Sequence, residues 1–306
     1  MKRLSVVGNA AIETKIFVEK FPLEEMETKV HKTYVTIGGS GACLSAMLSR
    51  FGFRVDLITQ VGEDTDGDKI LETLKTIGVS TRYIVRNGST IQFYSIFDQM
   101  FRRRIFIKDA PWKEAEIVDL LLIALKDADA LVLCPTTIPI FREAIDLINN
   151  DYQKTPLVVS PQSAFIGSHD ILWQALKKAW IICLNEKEIC NYVGTNNYET
   201  AISDFNLRDN QILVITRGDK GCIIKDKNNI ITQEAIRGEI LDPSGAGDSL
   251  LAGIIWALNQ GYDTKNIALV GCVAGFLACK TPKLVEEGFS LEDVNRLLTI
   301  GGDRNE

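Results

Sequence analysis

Asp242-Pro243-Ser244-Gly245-Ala246-Gly247-Asp248 is the stretch that decides the reading of this 306-residue chain. It follows a short apolar-containing run at 239–241. It precedes a strongly helical one at 249–258, Ser249-Leu250-Leu251-Ala252-Gly253-Ile254-Ile255-Trp256-Ala257-Leu258. Two glycines and an alanine thus sit where a loop turns into a helix. Small side chains leave backbone N–H groups facing outward, and the helix N-terminus adds partial positive charge, so the turn suits an anion. Asp248 closes the turn. A carboxylate beside an anion-stabilising backbone is the pairing that deprotonates a hydroxyl while a phosphoryl group is transferred to it. Taken alone, a G-x-G-D before a helix is more often structural, with Asp248 held at the helix N-terminus by capping and the dipole.

Further motifs flank this stretch. Upstream lies Gly38-Gly39-Ser40-Gly41-Ala42-Cys43-Leu44-Ser45-Ala46-Met47-Leu48-Ser49-Arg50-Phe51-Gly52, then Val55-Asp56-Leu57-Ile58-Thr59-Gln60-Val61-Gly62-Glu63-Asp64, with Gly67 and an amphipathic run at 71–78. Asn185-Glu186-Lys187-Glu188 and Thr216-Arg217-Gly218-Asp219-Lys220-Gly221 follow. In content, order and spacing these resemble the signatures of the PfkB, or ribokinase-like, family of carbohydrate and nucleoside kinases: G-G-x-x-x-N, V-G-x-D, N-x-x-E, T-x-G-x-x-G and D-[TP]-[TS]-G-A-G-D. The resemblance spans nearly the whole chain.

It implies a role for each matching position. Asp248 is the expected catalytic base, and the backbone of Gly245, Ala246 and Gly247 the anion hole. Asn185 and Glu188 place phosphate and Mg²⁺, the metal through water; as a bare N-x-x-E they are equally a helix-capping pair. Thr216, Gly218 and Gly221 border the nucleotide, or form a plain hairpin turn. Asp242 divides evenly between a site for a monovalent cation such as K⁺ and stabilisation of the turn beside Pro243. Glu13, Gly38, Gly39, Ser40 and Cys43 fall at substrate positions. The implied cofactors are ATP and Mg²⁺, with K⁺ as an option.

Composition is that of an ordinary soluble globular protein. Hydrophobic residues make up 46% and charged ones 24%, and the net charge of −6 disfavours nucleic acid as a partner. No run reaches transmembrane length, and the N-terminal Met1-Lys2-Arg3-Leu4-Ser5-Val6-Val7-Gly8 is too short in its apolar part for a signal peptide, so no membrane partner is expected. Seven cysteines without C-x-x-C pairing point to reduced thiols in a cytoplasmic protein. Two histidines, His31 and His169, are too few for a His-based metal site or triad. G-x-x-x-x-G-K-[ST], G-x-G-x-x-G after the first strand, and protein-kinase signatures are all absent.

Apolar runs of strand length at 4–7, 55–58, 130–134, 157–159, 180–184 and 212–216 alternate with helical patterns at 41–50, 67–77, 114–125, 140–149 and 170–178. This predicts a mostly parallel sheet covered on both faces, a three-layer α/β/α sandwich in one domain over 1–306. Hairpin strands at 222–225 and 230–232 and helices at 249–259, 265–279 and 291–298 complete it. Two segments, 11–37 and 90–107, alternate instead and read as antiparallel ribbons. At these positions the family carries a small β lid, which excludes water from phosphoryl transfer; two surface hairpins are the plainer reading. A lid sheet with apolar residues also invites a homodimer.

The substrate is less determined. Ribose-type relatives carry G-x-x-N-x-D after the first strand and G-G-K-G-A-N before the first helix. Here the first is Gly8-Asn9-Ala10-Ala11-Ile12-Glu13, placing Ala11 and Glu13 at the polar positions, and the second is Gly38-Gly39-Ser40-Gly41-Ala42-Cys43, without the Lys and Asn. A site stripped of polar partners loses affinity for a small sugar. Asp242-Pro243 and the 8–22 stretch look closer to nucleoside-kinase members, and Phe93, Phe97, Met100 and Phe101 offer either a slot for a base or a lid core. Arg102-Arg103-Arg104 reads as an exposed basic turn, or as a contact to an anionic substrate. The favoured expectation is an ATP-dependent kinase of a sugar or nucleoside hydroxyl, with nucleoside ahead. A fructokinase or phosphofructokinase-type enzyme, and a non-catalytic ligand-binding regulator, are the alternatives.

Overall fold

The computed structural model describes residues 2–22, 26–161 and 169–302. The parallel strands are β1 (Arg3–Val7), β4 (Arg54–Val61), β5 (Ile84–Arg86), β8 (Ala130–Leu133), β9 (Leu157–Val159), β10 (Ile181–Asn185) and β11 (Ile212–Thr216). With the antiparallel hairpin β12 (Cys222–Lys225) and β13 (Ile230–Gln233) they form one sheet in the order β13-β12-β11-β10-β9-β8-β1-β4-β5.

Successive residues of the central strands feed opposite cores, which is why these strands read as continuous apolar runs. Leu4, Val6, Val132 and Ile181 pack on one face with helices α1 (Ser40–Arg50), α2 (Thr65–Ile77), α8 (Ala246–Asn259), α9 (Thr264–Ala278) and α10 (Leu291–Gly302). Val7, Leu131, Leu133 and Ile182 pack on the other with α3 (Glu114–Leu125), α4 (Ile138–Asn150), α5 (His169–Lys178), α6 (Glu186–Val193) and α7 (Tyr198–Asp204). The three layers expected from the sequence are present.

A second, four-stranded sheet lies outside these layers, in the order β3-β2-β6-β7: β2 (Ala11–Val18), β3 (Val30–Gly38), β6 (Gln92–Phe97) and β7 (Arg103–Lys108). Each segment is an antiparallel ribbon, as read from the sequence. The two ribbons join by parallel pairing of β2 with β6, with Glu13 opposite Phe93 and Lys15 opposite Ser95. Phe17 stacks on Phe97 at 5.1 Å and meets Tyr34 edge-on at 5.9 Å, a small aromatic core. Asp98 closes the β6–β7 turn by accepting from the Met100 and Arg102 N–H groups, both at 3.0 Å, and from Arg102 Nε at 2.6 Å.

The sequence reading missed three elements. The strand β5 has 3 residues and α7 has 7, too few to display a period. The eight-residue α6 announces itself only through its cap. The helix α8 starts earlier than the expected 249, at Ala246, so Gly247 and Asp248 belong to its first turn and Gly245 is the capping residue.

Candidate active site

The carboxyl ends of β1, β10 and β11, the N-termini of α1 and α8, and the inner face of the lid enclose one cleft of about 610 Å³. Its position follows from the parallel sheet, whose strand ends and helix N-termini converge on one side.

The start of α8 is shaped by two different glycine requirements. Gly245 has φ 77°, and a Cβ there would meet Leu284 Cδ2 at 2.4 Å. Glycine is therefore required to turn the chain into the helix. Gly247 has ordinary helical backbone, and a Cβ added to it would meet nothing within 4 Å. That open space lies on the cleft wall. The Ala246 N–H is taken by Pro243 O at 3.3 Å, and Ala246 does not line the cleft. Gly247 and Asp248, one and two positions on, sit where helix N–H groups lack an acceptor a turn back. The Ser244 hydroxyl, also on the wall, is buried with no protein partner. An open backbone cradle and an orphaned hydroxyl at a helix N-terminus fit a phosphate group.

Asp248 is 9% exposed and lines the same wall. Burial pushes its carboxyl up to about 7, against the lowering effects of a hydrogen bond with Ser40 and of the Arg103 charge. Ser40, expected at the substrate, thus also holds the carboxylate. Its backbone N–H donates to Asn9 Oδ1 at 3.0 Å, tying the β1–β2 turn to the start of α1. Arg103 reaches the cleft from β7, where Arg103, Ile105 and Ile107 face inward by strand alternation. Its two neighbours do not share this place: Arg102 pairs with Asp98, and Arg104 stacks over Phe21 at 4.5 Å.

On the lid side Glu13 is buried and accepts from Ser95 Oγ at 2.5 Å. Lys15 Nζ lies 3.9 Å from Glu13 Oε2, donates to Asp242 Oδ2 at 2.6 Å and donates to Pro282 O at 2.9 Å. Asp242 is fully buried, and its other oxygen accepts from the Ser244 N–H at 2.8 Å. The Cys43 thiol is pushed up by burial and is neutral, an apolar contact on the cleft wall. Phe93, Phe97 and Phe101 all line the cleft, but Phe97 is 1% exposed and belongs mainly to the lid core. Met100, at 74% exposed, points away.

Asn185 and Glu188 form a complete capping box on α6. The Asn185 side chain accepts from the Lys187 and Glu188 N–H groups, and Glu188 Oε2 accepts from the Asn185 N–H at 2.9 Å. Both also line the cleft, and burial raises the Glu188 carboxyl. Thr216, at the end of β11, lines it too. Among the described residues no group of three or more His, Cys, Asp or Glu is placed to hold a metal ion.

The structure therefore gathers Glu13, Gly39, Ser40, Cys43, Asn185, Glu188, Thr216, Gly245, Gly247 and Asp248 around one cleft. Gly38, Gly218, Gly221, Asp242 and Ala246 do not line it; Asp242 is buried, and Gly218 is exposed on the turn after β11. Asn9, Ser244 and Leu284 line it without having been singled out from the sequence. Asn9 carried a signal, since it follows the end of the first strand, the usual ligand edge of such a sheet.

Comparison with known proteins decides the family. The profile described as pfkB family carbohydrate kinase matches residues 1–286. The chain belongs to the pfkB family. As a pfkB kinase it is a phosphotransferase acting on a hydroxyl group, and kinases of this family use ATP. It is similar to a nucleoside kinase of Methanocaldococcus jannaschii, 26% identical over 89% of this chain and 88% of that one. A nucleoside kinase of Methanothermobacter thermautotrophicus is also 26% identical, over 90% and 88%. Among solved structures, a Burkholderia thailandensis nucleoside kinase in complex with inosine superposes with TM-score 0.83 at 17% identity, covering 98% of this chain and 99% of that one. The ribokinase fold, with a β lid, is thus this pfkB chain's architecture. Among the described residues no helix is long and apolar enough to cross a membrane.

Proposed function

We propose that this pfkB kinase transfers the γ-phosphoryl group of ATP to a hydroxyl of a ribonucleoside. The observation that carries the reading is the buried Asp248 in the first turn of α8, beside the open Gly247 cradle and under a lid bearing Phe93 and Phe101. Asp248 accepts the proton of the substrate hydroxyl. A carboxyl held near 7 suits this task at neutral pH, because it takes the proton without being too weak a base. Ser40 orients the carboxylate. The N–H groups at the start of α8 and the Ser244 hydroxyl receive charge on the transferring group. Asn185, Glu188 and Thr216 border the nucleotide. Glu188 and Asn185 would hold Mg²⁺ through water, and the metal would supply neutralising charge at the ATP phosphates.

Glu13 and the Asn9 amide supply polar contacts to a sugar ring, and the rings of Phe93 and Phe101 with Ile105 supply apolar area to a base. A neutral Cys43 at a position that is polar in ribose-type relatives removes one sugar contact. Arg103 favours a second reading, a phosphorylated sugar, since its guanidinium reaches the cleft from the lid while the other lid cation there, Lys15, is bonded to Asp242. The exposed outward residues Val35, Tyr94 and Phe106, with β7 as a free sheet edge, support a homodimer through the lid.

The test is ADP release from MgATP with panels of nucleosides, sugars and sugar phosphates, for wild type and Asp248→Asn. Acceptor-dependent release that the variant loses is expected. Release that is independent of every acceptor, or unchanged in Asp248→Asn, would overturn the reading.

A further inference from the structure

Beside the anion-binding turn, the Asp242 carboxylate and the Pro282 carbonyl meet the protein's own cation, the Lys15 ammonium. Asp242 opens the signature turn, and its carboxylate is fully buried. A buried carboxylate beside a phosphate site needs a counter-charge, and a monovalent ion is one way to supply it. The residues present do not fit a free ion. Lys15 Nζ donates to Asp242 Oδ2 at 2.6 Å and to Pro282 O at 2.9 Å, and its side chain is 4% exposed. The other Asp242 oxygen is committed to the Ser244 N–H. Downstream of Pro282, the carbonyls of Leu284, Val285 and Glu286 accept from the Arg50 guanidinium. Both the carboxylate and the loop carbonyls are therefore satisfied by tethered cations.

We propose that Lys15 acts as a positioning residue, a tethered ammonium that holds the 242–248 turn in its phosphate-binding shape and makes the kinase independent of K⁺. The proposal rests on the kinase reading above. Lys15 is carried by lid strand β2, so the same bond couples the lid to the turn, 227 positions away in sequence. Glu13, two residues along the same strand face, keeps its Oε2 3.9 Å from the ammonium. The lid's polar contact to substrate and the turn's counter-charge thus share one strand.

The experiment compares turnover in KCl, NH₄Cl and choline chloride at equal ionic strength, for wild type and Lys15→Ala. Wild type is expected to change less than about twofold between the salts, and Lys15→Ala to lose at least about tenfold in choline and to recover most of it in KCl or NH₄Cl. A purely structural lysine would not be rescued by a small cation. Wild-type activation by K⁺ of more than about fivefold would overturn the proposal. So would a folded Lys15→Ala that keeps wild-type turnover in choline, or one that no cation restores. If Lys15→Ala does not fold, the wild-type salt series decides alone. Thermal melting in the same salts separates this idea from the kinase reading. A wild type without turnover on any acceptor would sink that reading, while a melting temperature equal in KCl and choline, with Lys15→Ala stabilised by K⁺, would still support the tethered ammonium.

Discussion

Asp248 combines two costs in one side chain, and each is measurable. Its carboxyl ordinarily titrates near 3.8 and is pushed to about 7 when folded. Below 3.8 both states hold the proton and the shift contributes nothing. As pH rises from there to about 7, the unfolded chain ionises while the folded one keeps its proton, so stability falls, and above 7 the loss is complete. At roughly 1.4 kcal/mol per pH unit this amounts to a few kcal/mol as an upper bound. Asp248→Asn is therefore expected to melt higher than wild type at pH 8 and equally at pH 4, while its turnover falls by at least about 10². Equal melting at pH 8, or turnover within about tenfold of wild type, would contradict this assignment. The two glycines of the turn separate folding from chemistry in the same way. Gly245→Ala meets Leu284 and a left-handed φ, and is expected to lose about 1–3 kcal/mol in chemical denaturation. Gly247→Val projects into open space, and is expected to fold normally and lose at least about 10² in turnover. The sequence showed both as loop glycines. Only the backbone conformation assigns one to the fold and leaves the other open to the phosphate.

At the scale of elements, the lid controls both acid–base chemistry and specificity. Arg103 on β7 lowers the Asp248 carboxyl, so Arg103→Met raises it and moves the acid limb of the kcat/KM profile to higher pH. An unmoved limb would mean that the guanidinium does not act on Asp248. Phe101 stands at the β6–β7 turn with φ 54° and lines the cleft. Phe101→Ala is expected to raise KM for a nucleoside about tenfold while leaving free sugars nearly unchanged, because only a base reaches the ring. Equal losses for both classes would assign Phe101 to lid packing. Element boundaries were legible where period and burial agree: α3 matches the sequence expectation at both ends. They were illegible where a tertiary partner supplies the stability, as for α7, or where a left-handed glycine lets a helix start inside a glycine-rich turn, as for α8.

Across the whole molecule, the sequence order of motifs was enough to read the sandwich, the lid and the cleft-lining positions that lie on those motifs, because the sheet's topology brings the βα turns to one edge. What it could not show are bonds between distant positions. Nothing in the alternating stretch around Lys15 singles it out, yet it lies buried against Asp242. Ser40 reads as a substrate contact, yet its hydroxyl bonds to Asp248. The central claim concerns what enters the cleft. Its most direct test is a side-by-side determination of kcat/KM with ribose, fructose, fructose 6-phosphate, adenosine, inosine and cytidine under saturating MgATP. The account expects at least one ribonucleoside to exceed every free sugar and sugar phosphate. A clear preference for ribose, fructose or fructose 6-phosphate over all three nucleosides would contradict it.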